Sequence, residues 1–263
     1  MVLPYDIQVA ADEANLAVVE AWLDEAGPGA VNDRDQWGFT LLLCCMKSSI
    51  NERHVQFARM LIARGADVNI GKTGSGSCPL HYACFPGDCS STMVSLLLKE
   101  GARVDERTNG DRQTPLGQLI DEFDYCLESV SEADEMPARQ RQISRSGLEI
   151  MISLLRAGAS LESCQYGYSA EDLMQEFLSR RPSYANDESF ARCQELVAGV
   201  RVHGSYKSFA REPHRQFLRL RSLLVRGRAK VRGSSKTSRR LEGIARLPNG
   251  ACWHVISFWR DAG

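Results

Sequence analysis

The chain has 263 residues, 43% hydrophobic and 25% charged, the balance of a soluble globular protein long enough to bury a sizeable core. No run of about 18 apolar residues occurs, which excludes a membrane-spanning helix, and the opening MVLPYDIQVAADEANL has acids early, which argues against a signal peptide. The formal net charge of −1 conceals a division: thirteen Lys and Arg stand against the single acid Glu212 between Arg201 and Arg240, and 19 basic against 32 acidic residues elsewhere.

Nine cysteines, an odd number, are scattered from Cys44 to Cys252, several within apolar helical patterns. Small secreted disulfide frameworks are short and cysteine-dense. Free thiols acting as small hydrophobes are therefore expected, in a reducing compartment, cytoplasmic or nuclear.

In chain order the sequence repeats itself. VVEAWLDEAGPGAVN (18–32) is a loose first copy of a pattern that returns as FARMLIARGADVN (57–69), MVSLLLKEGARVD (93–105) and IMISLLRAGASLE (150–162). Each is a leucine-rich helical run, a glycine and a polar turn. The glycine belongs just past the helix end, where a left-handed residue stops the turn. A second, shorter pattern follows each copy: DQWGFTLLLCCM (35–46), TGSGSCPLHYAC (73–84), NGDRQTPLGQL (109–119) and QYGYSAEDLM (165–174). Thr or Ser caps the free N–H groups of the helix that begins there, and Pro at the first helical position loses no hydrogen bond. The cap positions Thr40, Cys78, Thr114 and Ser169 are 38, 36 and 55 residues apart. The long last interval contains DEFDYCLESVSEADEMPARQRQISRS (121–146), acidic and then basic, read as extended helix ends plus a loop or as a partly disordered finger.

Two alternating motifs in this order resemble the ankyrin-repeat family, whose repeat of about 33 residues carries a Thr-Pro-Leu-His-x-Ala signature. The resemblance spans roughly residues 6–200; Cys78-Pro79-Leu80-His81-Tyr82-Ala83 is nearly intact, whereas the first copy has Leu41-Leu42-Leu43. It implies an all-α solenoid of about four to five repeats with hairpin tips and a C-terminal helical cap, in which stacked helix pairs share a core and line one groove. Leu61, Leu96, Leu97, Leu98, Leu154 and Leu155 are then packing residues. The implied function is a non-catalytic protein-interaction module, monomeric and without cofactor, that binds a protein through turn tips and inner helices. The candidate contacts are Gln36 and Trp37; Lys72, Thr73 and Ser75; Phe85; Asn109 and Arg112; and Tyr166 and Tyr168. Exposed aromatics at such tips are candidate hot spots.

Beyond residue 200 the repeat signals stop. The expected division is a repeat domain (1–200), a basic helix and linker (201–240) and a short apolar helix (241–263). Pro213 is read as opening a helix through about Gly227, with Phe217, Leu220, Leu223 and Leu224 on one stripe that covers the last repeat. Pro248 starts the final helix, whose Trp253, Ile256 and Trp259 form a contact face, docked on the body of the chain. Leu247-Pro248 is also similar to part of the SOCS box of ubiquitin-ligase substrate adaptors and to the opening of an F-box, so a ligase adaptor is the alternative function. A third is nucleic-acid or acidic-surface binding through Arg211–Arg240. Only Tyr206 and Phe209 could stack there, and no nucleic-acid-binding signature accompanies them, so nucleic acid is not the expected partner.

One stretch, NIGKTGSGSCPLHYACFPGDC (69–89), imitates two other chemistries. A phosphate loop needs Lys and a hydroxyl after its second glycine; Ser77 and Cys78 stand there instead. A zinc site would use Cys78, His81, Cys84 and Cys89, but three of these lie along one helix start rather than on two elements. No nucleophile elbow, HExxH or paired-acid motif occurs, so no catalytic, cofactor or metal residues are expected.

Overall fold

A computed structural model describes residues 2–47, 49–87, 90–128 and 136–226. The chain divides into two units, Met1–Tyr206 and Lys207–Gly263. In the first, the described residues form five consecutive helix pairs: α1 (Tyr5–Asp12) with α2 (Leu16–Ala26), α3 (Leu41–Cys44) with α4 (Glu52–Ala63), α5 (Pro79–Ala83) with α6 (Ser90–Lys99), α7 (Pro115–Glu128) with α8 (Met136–Ala157), and α9 (Ala170–Arg180) with α10 (Glu188–His203). The odd-numbered helices pack successively from α1 to α9, and α4, α6, α8 and α10 pack into a second row. Neighbour contacts of this kind make a one-dimensional stack.

The helix boundaries follow from the expected caps. Thr40 Oγ1 accepts from Leu43 N, Thr114 Oγ1 from Gly117 N, and the Ser169 hydroxyl from Asp172 N. At the other end, Gly65, Gly101 and Gly158 share φ values of 93°, 89° and 97°. A Cβ is strongly disfavoured in that backbone region, which is why the same glycine recurs after each long helix.

Side chains then tie each repeat to the next. Asn32 donates to Gly65 O at 3.0 Å and accepts from Asp67 N at 2.9 Å. Asn69 repeats the clamp on Gly101 O and Arg103 N, at 3.2 and 2.8 Å. Asp105 lacks an amide donor and keeps half of it, accepting from Ser160 N at 2.9 Å. The predicted packing residues Leu61, Leu96, Leu97, Leu154 and Leu155 are buried, whereas Leu98 is half-buried.

The 121–146 insertion lengthens two helices. Residues 121–128 continue α7, and residues 136–146 open α8. Gly147 lets α8 approach α7 closely, since a Cβ there would lie 2.2 Å from the Phe123 ring. Phe123 joins Phe177, Tyr184 and Phe190 in a buried cluster, with ring centroids 4.9–6.2 Å apart.

In the second unit the described residues belong to α11 (Tyr206–Val225), whose first residue closes the first unit. This corrects the expected start at Pro213, which lies inside the helix, eighth from its beginning. The ring has no N–H to offer the preceding turn, and the flanking residues carry the helix across that gap. None of the residues of α11 is buried. Trp253, Ile256 and Trp259, with the rest of the expected terminal helix and linker, lie outside the described residues. No helix among the described residues is long and apolar enough to cross a membrane.

Candidate binding surface

Between the helix pairs, four tips close as backbone hairpins: Asp35 N donates to Phe39 O, Lys72 N to Ser77 O, Thr108 N to Gln113 O and Cys164 N to Tyr168 O, at 2.6–3.0 Å. The tips also bond to one another. Thr73 N donates to Gly38 O, Asn109 N to Ser75 O and Tyr166 N to Asp111 O, at 3.2, 2.8 and 2.8 Å. Arg34 reinforces the first junction, donating to Gly38 O, Gly71 O and Thr73 Oγ1. The result is a continuous ladder of tips, fixed by main chain and free to vary in side chain.

The predicted contact residues divide on this ladder. Gln36, Trp37, Tyr166, Tyr168 and Arg112 are exposed, with Tyr166 71% and Trp37 50% accessible. Arg112 and Tyr166 hold left-handed backbone at φ 54° and 47°, a region costly for side chains of this size. Phe85, just past α5, is also exposed. Thr73 and Asn109 are exposed too, and with half-buried Ser75 they also bond within the ladder: the Asn109 amide donates to Gly74 O at 2.9 Å, and the Ser75 hydroxyl accepts from Ser77 N. A shallow cleft of about 240 Å³ lies between the first two tips, lined by Arg34, Asp35, Gln36, Trp37, Gly38 and Thr73.

Sequence reasoning missed a cluster beside these residues. Phe39 stacks obliquely on Tyr82 with centroids 6.1 Å apart, and Lys47 and Lys72 place their ammonium groups 4.2 and 4.7 Å from the Phe39 ring centre. Phe39 and Tyr82 come from neighbouring repeats and only the stacking unites them; the one available signal was Phe39 lying two residues from Trp37.

His81 bridges two consecutive repeats. Nδ1 accepts from Cys78 N at 3.2 Å and Nε2 donates to Gln113 O at 3.0 Å, which defines a neutral ring protonated at Nε2. Burial holds its pKa below the ordinary value. Cys78 Sγ lies 3.0 Å from Nδ1, so the pair imitates a thiol–imidazole dyad. Burial raises the thiol pKa and Cys78 is 1% exposed, so neither thiolate nor substrate access is provided. With both ring nitrogens engaged, His81 has no lone pair for zinc, and no grouping of three potential metal ligands occurs among the described residues. Cys89 lies outside them. Cys44, Cys45, Cys78, Cys84, Cys164 and Cys193 are free and buried; desolvation pushes Cys44 and Cys193 up to about 12 and Cys164 to about 11.

Stacked helix pairs, a hydrogen-bonded row of tips and a buried histidine bridging consecutive repeats define an α-helical repeat solenoid. Residues 7–116 match the family model described as ankyrin repeats, in three copies. That part of the chain is built of ankyrin repeats, and the described helices of the first unit form an all-α ankyrin solenoid in which α8–α10 continue the stack beyond the match. Ankyrin repeats are generally protein-protein interaction modules.

Proposed function

We propose that this protein binds a protein partner along the tip ladder, through Trp37 at one end and Tyr166 and Tyr168 at the other. The observation that carries the reading is Tyr166: a large apolar side chain, 71% exposed, retained on left-handed backbone where glycine or asparagine would be easier. Strain kept under an exposed aromatic favours use of that side chain by something outside the fold. The tips of Trp37 and Tyr166 are three repeats apart, about 24–30 Å at usual helix-packing distances, so the partner presents an extended or broad surface. Affinity capture with the full chain should recover a partner that is lost when Trp37, Tyr166 and Tyr168 are together replaced by Ala. Retention of every partner by that triple variant overturns the reading.

A further inference from the structure

We infer that the surface where the second and third repeats meet is a carboxylate-recognising aromatic site, and that the partner segment seated there is acidic. The inference rests on the protein-binding reading above and names the chemistry of its partner. Lys47 and Lys72 converge on one ring from two different repeats, with ammonium groups 4.2 and 4.7 Å from the centre of Phe39. They are therefore on the order of 9 Å apart at most, close enough to repel through a protein-surface dielectric. Among the described residues neither is ion-paired to a carboxylate.

The acid on the same tip does not neutralise them. Asp35 is 6% exposed and turns one carboxylate oxygen onto the Trp37 and Phe39 amides at 2.8 Å each. Its other oxygen is buried without a partner. The ring faces attract the two cations, but one benzene ring cannot discharge two ammoniums. A carboxylate arriving from outside would be drawn by both charges.

The apolar half of the site is Trp37, exposed and with its ring centre 6.0 Å from the Lys47 ammonium, together with Tyr82 beside Phe39. An acidic residue next to an aromatic or aliphatic one would satisfy cations and rings together.

The test is selection of a random dodecapeptide phage library on the full chain. A synthetic copy of the most enriched peptide is then titrated against wild type, Lys47→Glu/Lys72→Glu and Lys47→Arg/Lys72→Arg, with thermal melts confirming that each variant folds. Asp- or Glu-containing peptides with a neighbouring apolar residue are expected. Affinity should fall roughly tenfold or more in the Glu variant, recover in the Arg variant and weaken with salt. Enrichment of neutral or basic peptides, no enrichment, equal binding to the Glu variant, or displacement by a single-stranded dodecanucleotide overturns the inference. If the captured partner still depends on Trp37 and the tyrosines after such a result, the broader protein-binding reading stands and only the acidic chemistry falls.

Discussion

His81 and Gln113 lie in successive repeats, and the imidazole Nε2 donates to the Gln113 carbonyl at 3.0 Å while Nδ1 accepts from Cys78 N. His54 makes an equivalent bridge, accepting from Asn51 N and lying 3.0 Å from Asp12 O. One ring thus caps its own helix and fastens the neighbouring segment.

His81→Ala should destabilise the fold by about 3 kcal/mol, because buried Cys78 N loses its acceptor, the bridge to Gln113 O is broken and a cavity opens. Its pH signature has a definite sign. Burial lowers the folded pKa below 6.5, so the unfolded chain takes up the proton first as pH falls. The contribution of His81 is complete above 6.5 and declines as pH drops below it toward the folded value. Urea titrations at pH 7.5 and 5.5 should show wild type losing more stability than the variant.

Glu122 has the opposite slope. Desolvation raises its carboxyl to about 7 from an ordinary 4.5, outweighing the bond from Gln118. Its contribution is complete below 4.5 and lost as pH rises through about 7. Glu122→Gln, a mimic of the protonated form, should therefore gain stability relative to wild type on going from about pH 5 to about pH 8. Parallel denaturation curves at the two pH values would count against a buried carboxyl.

Gly147→Ala tests the α7–α8 approach. The new methyl would fall 2.2 Å from Phe123, whose ring is locked among Phe177 and Phe190. The better helix propensity of alanine is outweighed, with a net loss of about 1–3 kcal/mol by chemical denaturation.

Tyr166→Gly separates binding from stability. Glycine relieves the left-handed backbone and leaves the bond from residue 166 N to Asp111 O in place. Stability should stay within about 0.5 kcal/mol or improve, while partner capture weakens. A large loss of stability would make Tyr166 a structural residue instead.

What the sequence made legible was the periodic part. Caps at Thr40, Thr114 and Ser169 and glycines at 65, 101 and 158 each follow from local backbone requirements that recur with every repeat. Contacts between repeats were not legible. Asn32 on Gly65 and Lys72 on Phe39 depend on which side chains a given stacking register brings together. The run through Pro213 also escaped local rules, because a helix can forgo one internal hydrogen bond when both flanks favour it. The candidate tips were found from exposure expected at turns; that Thr73 and Asn109 also join one tip to the next depends on the stacking.

The ring cluster of Phe123, Phe177, Tyr184 and Phe190 sits entirely in the last two helix pairs. In a stack held only by neighbours, this placement gives the solenoid a direction of unzipping. The amides of α1 and α2 should exchange with solvent first, those of α7 to α10 last, and a force pulling on the amino end should peel the pairs away one by one toward the aromatic anchor.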